Sequence, residues 1–123
     1  MGIIVQKFGG SSLTTEEYRL RAIKHIQQAV SRGKKVVVVV SAMGRKGDPY
    51  ATDTFIQHIK QNGDALANRE MDLLLSCGEI ISATTLSSML TQFGTDNTVL
   101  TGGQAGIITN DHFSNCLLYT SPS

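Results

Sequence analysis

Lys7-Phe8-Gly9-Gly10-Ser11-Ser12 sets a cation at the end of an apolar run, then two glycines and two hydroxyls. Glycine lets backbone N–H groups approach a ligand closely. With a following helix N-terminus and a lysine charge, these make an anion site suited to nucleotide phosphates. The spacing is neither the P-loop pattern GxxxxGK nor the dinucleotide fingerprint GxGxxG. On composition alone, an ordinary strand-to-helix turn with an exposed lysine accounts for it equally well.

Other residues could join such a site. Ser41-Ala42-Met43-Gly44 follows five consecutive valines, and Gly102-Gly103 follows Thr98-Val99-Leu100-Thr101. In an open parallel sheet, ligands bind beyond the carboxyl ends of the strands. Three small-residue loops at one sheet edge would therefore share a pocket, although tight turns explain each loop singly. Glu79 is a lone acid in the otherwise apolar stretch 73–81. It either faces the pocket and accepts hydrogen bonds from an ammonium group, or lies on the polar face of an amphipathic helix, the commoner case. Lys34-Lys35 and Arg45-Lys46 read as solvated loop charges. Cys77 and Cys116 stand far apart without CxxC, and His25, His58 and His112 are isolated, so no metal site is expected. Cys77 is expected in a core and the histidines on the surface.

The elements that must position these groups follow from pattern. Residues 3–8 read as a strand covered on both faces. Thr14-Thr15-Glu16-Glu17 opens a helix as a capping box, with Tyr18, Ala22, Ile23, Ile26, Ala29 and Val30 at helical spacing and Gly33 as the stop. Residues 36–40 form a buried strand, and the strand–helix–strand unit makes the pair parallel. A second helix begins near Thr52 or Asp53, turning Phe55, Ile56 and Ile59 inward. A third runs from about 69 to 93 and stops at Gly94, its apolar face including Leu74, Leu75, Ile81, Leu86, Met89 and Leu90, with Gly78 a place to bend. Residues 98–101 are expected as a third strand. Residues 116–123 show no periodicity and are expected to close nothing.

Composition narrows the function classes. The chain has 123 residues, at most one domain, with 41% hydrophobic residues, enough for a core. Its net charge of +1 gives no electrostatic ground for a nucleic-acid or membrane-surface binder. The longest apolar run is far short of the ~20 residues of a bilayer helix, and no signal peptide is visible, so no membrane partner and a cytoplasmic location are expected.

Taken together, the motifs resemble the aspartokinases, of the amino-acid kinase fold. Residues 5–12 (VQKFGGSS) are similar to the opening of that family. VVVVVSAMG (36–44), RKGDPYATD (45–53), REMDLLLSCGE (69–79) and TGGQAGIITND (101–111) follow in the family's order, most like the forms of Bacillus-like bacteria. The resemblance implies an α/β fold, the N-terminal part of a three-layer αβα domain with a mostly parallel sheet, truncated. It implies transfer of the γ-phosphoryl of ATP, with Mg²⁺, to the β-carboxylate of L-aspartate, at the entry to diaminopimelate, lysine, threonine and methionine. Lys7, Phe8, Gly9 and Gly10 would contact ATP, with Lys7 catalytic; Ser41, Thr52 and Glu79 would hold aspartate, Glu79 taking its α-ammonium. The parent enzyme would be oligomeric.

The resemblance covers about residues 1–115. Residues 116–123 depart from the family pattern and are expected to be an artefact of sequence assembly. The family's later sheet strands, glycine-rich nucleotide segment and regulatory domains have no counterpart here, so the segment is expected to be inactive alone. The alternatives are another amino-acid kinase or a non-catalytic phosphate-binding fragment.

Overall fold

The computed structural model describes residues 2–109 and the backbone pairing of Leu118–Tyr119. His112, Cys116 and, apart from that pairing, the expected tail lie outside the described residues. Strand β1 (Ile3–Phe8) leads through a single 3-10 turn (Gly10–Ser12) into helix α1 (Glu16–Ser31), and strand β2 (Lys35–Val40) follows. Helices α2 (Thr52–Gln61) and α3 (Asn68–Gln92) come next, then the two-residue strands β3 (Ile108–Thr109) and β4 (Leu118–Tyr119). β1 and β2 pair in parallel, Ile3 level with Lys35 and Phe8 level with Val40. The strand–helix–strand unit forms as the pattern requires.

The helix boundaries have local causes. The α1 cap is Thr15, whose hydroxyl accepts the Tyr18 N–H at 3.1 Å. The expected capping box is not formed, because Thr14 instead donates its hydroxyl to Gly10 O at 3.1 Å and fastens the turn before the helix. Gly33 and Gly94 follow α1 and α3 with φ of +77° and +82°, the left-handed stop that glycine adopts without strain. α2 starts at Thr52 with Ala51 at its cap position. Gly78 does not break α3, which is continuous over 25 residues.

The core lies on one face of the sheet. Leu13, Ala22, Ile23, Ile26, Met43, Leu86 and Leu90 are buried together, with Phe8, Val36, Val38 and Val40 packed against them. Tyr18 and Val30 of the expected helix face are exposed instead.

Three further expectations are corrected. The strands are not covered on both faces: Ile3 (70%), Val5 (65%), Val37 (50%) and Val39 (45%) are exposed, so the described residues supply two of the three layers. Residues 98–101 form no strand. Residues 98–100 line a groove of about 290 Å³ that also touches Val36, Val38 and Val40, and a ladder needs strands about 4.8 Å apart with nothing between them. Residues 118–119 do pair, antiparallel to β3.

By length and composition α3 could also cross a membrane, with a mean hydropathy of 1.4 over its most apolar window. The longest-run criterion missed it because hydroxyls and Glu79 interrupt the apolar residues. Gly78, Ser82, Leu86 and Leu90 are its buried positions in this fold.

Candidate functional site

The loops after β1 and β2 are laced to each other. Ser41 N–H donates to Phe8 O at 3.2 Å, which carries the parallel ladder one residue past β2. Gly44 N–H donates to Gly10 O at 3.0 Å. Backbone approaches this closely only because Gly10 lacks a side chain: a Cβ there would stand 2.5 Å from Ala42 O and 3.0 Å from Gly44 O. Arg19 ties the same turn to α1 by donating to Leu13 O at 3.0 Å.

The next loop folds back on itself. Asp48 Oδ2 accepts the Arg45 N–H at 2.7 Å, and Asp48 N–H donates to Arg45 O at 2.9 Å. The Thr54 hydroxyl donates to Asp48 O, which fixes the start of α2 against the loop. Gly44, with φ of +94°, lies under the Asp48 side chain. Thr52 is thereby delivered, half-buried, beside this loop. On the other side α3 comes down on Ala42 at Gly78, where Phe55 and Tyr50 O also converge. Residues adjoining Ser41 and Glu79 in the chain thus meet at one place, with Phe55 of α2 beside them.

The expected site residues divide accordingly. Strand alternation puts Lys7 on the open sheet face level with Val39, and one more step of the ladder assigns Ser41 to that side. Phe8 points the other way, into the core. Lys7 is exposed and makes no ion pair among the described residues. Glu79 is exposed, one residue from the buried Gly78 contact. Among the described residues, nothing stands within 4 Å of where a Gly9 side chain would begin. Gly102 and Gly103 do not join: they are exposed in a turn of their own, closed by Ile107 N–H to Gly102 O. The carboxyl edge is therefore built from two loops rather than three.

Sequence reasoning overlooked a cleft of about 730 Å³ beside the Gly10 turn. Phe8, Ser11, Ser12, Tyr18, Arg21, His25, Arg45 and Asp48 are among its walls. Arg45, expected as a solvated charge, borders it, while Arg21 is held by Glu17 at 2.9 Å and lies over the Tyr18 ring. Only the neighbouring hydroxyls and basic residues hinted at it. Cys77 is exposed, not in the core, because its turn of α3 buries Gly78 instead; its thiol donates to Leu73 O at 3.7 Å. His25 and His58 are on the surface as expected. No three His, Cys, Asp or Glu side chains converge among the described residues.

Known proteins resemble this chain in sequence and in fold. The sequence profile of the Amino acid kinase family matches residues 2–119. The chain belongs to that family. It is 55% identical to Aspartokinase 1 of Bacillus subtilis over 115 residues, 94% of this chain and 28% of the relative. It is 43% identical to the Aspartokinase of Geobacillus stearothermophilus over a similar stretch, 27% of that protein. The crystal structure of aspartate kinase from Synechocystis superposes with a TM-score of 0.74 at 39% identity, covering 85% of this chain and 17% of that one. The chain thus spans about a quarter of the length of the curated relatives it matches.

Proposed function

We propose that this chain is the segment of an aspartokinase that holds L-aspartate and the phosphates of ATP. The observation that carries the reading is the Gly10–Gly44 bond, which joins two glycine loops at the carboxyl edge of a parallel sheet next to Lys7 and Ser41. In the reaction, the bond from the γ-phosphorus to the β-phosphate oxygen breaks. A bond from an aspartate β-carboxylate oxygen to that phosphorus forms, and ADP leaves. Positioning and electrostatic stabilisation dominate such transfers. Lys7 opposes charge on the transferring group, Phe8 to Gly10 shape the phosphate turn, Ser41 and Thr52 hydrogen-bond the amino acid, and Glu79 accepts from its ammonium. Mg²⁺ neutralises phosphate charge when bound; the described residues form no carboxylate cage for it, and no step here depends on one.

The reading carries with it a cytoplasmic, oligomeric enzyme at the entry to diaminopimelate, lysine, threonine and methionine. It takes residues 1–115 as kinase segment, inactive without the remainder, and 116–123 as foreign sequence. Genomic DNA read across the codons for Asn115 and Cys116 tests that boundary; a stop after Ser123 would make the chain a binding fragment.

Activity is tested by placing the 115 matched residues in a full-length Aspartokinase 1 in place of its own. ADP release should require L-aspartate, and Lys7→Ala should lower it by about 100-fold or more. Equal turnover with L-glutamate or carbamate would overturn the choice of acceptor.

A further inference from the structure

Gly78 lies in the interior of α3 with ordinary helical backbone angles. Glycine there costs about 1 kcal/mol relative to alanine. Conformation does not require it; space does. A Cβ on Gly78 would stand 2.7 Å from Ala42 Cβ and 3.0 Å from Phe55 Cε2. The far end of the Phe55 ring can swing aside. Ala42 has little room to retreat, because it is 5% exposed and its carbonyl already fills the place where a Gly10 side chain would stand. Ala42 is wedged between two glycines, one on the phosphate turn and one on α3. It follows Ser41, and Gly78 precedes Glu79, so each half of the contact adjoins a side chain assigned to the substrate.

We propose that Gly78 is a positioning residue for the amino-acid substrate: its missing side chain seats α3 on Ala42 and thereby sets the separation of Glu79 from Ser41. The inference rests on the assignment of those two residues to aspartate. A methyl at position 78 pushes α3 outward by about 1 Å, the shortfall from ordinary carbon–carbon contact. A displacement of that size lowers catalysis by up to about 100-fold when it separates groups that hold one substrate.

The test uses the full-length hybrid enzyme carrying this segment. Gly78→Ala should raise KM for L-aspartate by about tenfold or more while KM for ATP stays within about twofold. The double variant Gly78→Ala with Ala42→Gly moves the methyl across the contact and should restore the aspartate KM to that of Ala42→Gly alone. Unchanged kinetics in a folded Gly78→Ala enzyme would overturn the proposal, as would equal shifts in both KM values. If Gly78→Ala does not fold, the double variant decides: a normal aspartate KM supports the clamp, and a raised one overturns it. An unsubstituted hybrid without aspartate-dependent turnover would instead remove the assignment of Ser41 and Glu79, and this proposal with it.

Discussion

On one face of the β1–β2 pair, Phe8, Val36, Val38 and Val40 pack against the buried core from α1 and α3. On the other, Ile3, Val5, Val37 and Val39 stand open beside Lys7. The side chains are of one kind, and adjacent valines of a single run meet opposite surroundings. An apolar strand therefore records that both faces are suited to burial, not that one segment of chain supplies both covers. The bare face is also the face of Lys7, and by the ladder of Ser41. In this segment the covered face holds the fold together, and the open one carries the lysine proposed to meet ATP.

The largest break in that comparison comes from the covered side. Leu86 is 3% exposed in the buried cluster. Leu86→Ala should destabilise the chain by about 2–5 kcal/mol, the range for a large-to-small change at a site that cannot collapse. Urea unfolding followed by circular dichroism measures it. A loss below about 1 kcal/mol would mean that α3 is not seated on the sheet as described.

A closer comparison uses neighbours of identical chemistry. Val38→Ala removes methyl groups from the core, whereas Val39→Ala removes them from a side chain already 45% exposed. Burial contributes about 0.8 kcal/mol per methylene, so Val38→Ala should cost about 1–2 kcal/mol and Val39→Ala about half a kilocalorie or less. Equal costs in the 123-residue chain would show that its open face is covered in solution. In the full-length hybrid the Val39 cost should rise toward that of Val38, because the relatives are about four times as long and supply further chain to cover it.

Much of this was legible in the residues, and the failures share a cause. Gly33 and Gly94 announced the helix ends, and the spacing of Ala22, Ile23, Ile26 and Ala29 announced the buried stripe of α1. Those signals are local. Whether a strand is covered twice, whether 98–101 finds a ladder, and whether Gly102 joins the site depend on partners distant in sequence, which periodicity does not encode. At the candidate site, the places of Lys7 and Ser41 at the carboxyl ends of β1 and β2 were readable from the apolar runs that lead to them. Gly78 was read only as a place to bend or break because a glycine inside a helix looks the same whether it weakens the helix or admits a neighbour. Only the contact with Ala42 distinguishes the two.

The smallest predicted effect sharpens the comparison most, because it concerns a polar side chain of β1 on the covered face. Gln6 donates from Nε2 to His25 O at 3.3 Å, while its Oε1 is buried with no partner among the described residues. An orphaned acceptor costs about 1–3 kcal/mol, and a long neutral hydrogen bond returns about 1 kcal/mol or less. Gln6→Leu should therefore leave stability unchanged or raise it by about 1 kcal/mol, read as a higher urea midpoint at an unchanged slope. The His25 carbonyl lies within α1, where the helix's own ladder limits what losing the amide costs. Destabilisation by more than about 1 kcal/mol would show that the Gln6–His25 link, rather than the apolar packing around it, holds β1 to α1. The covered face would then resemble the open one, in having its polar residue chosen for what it binds.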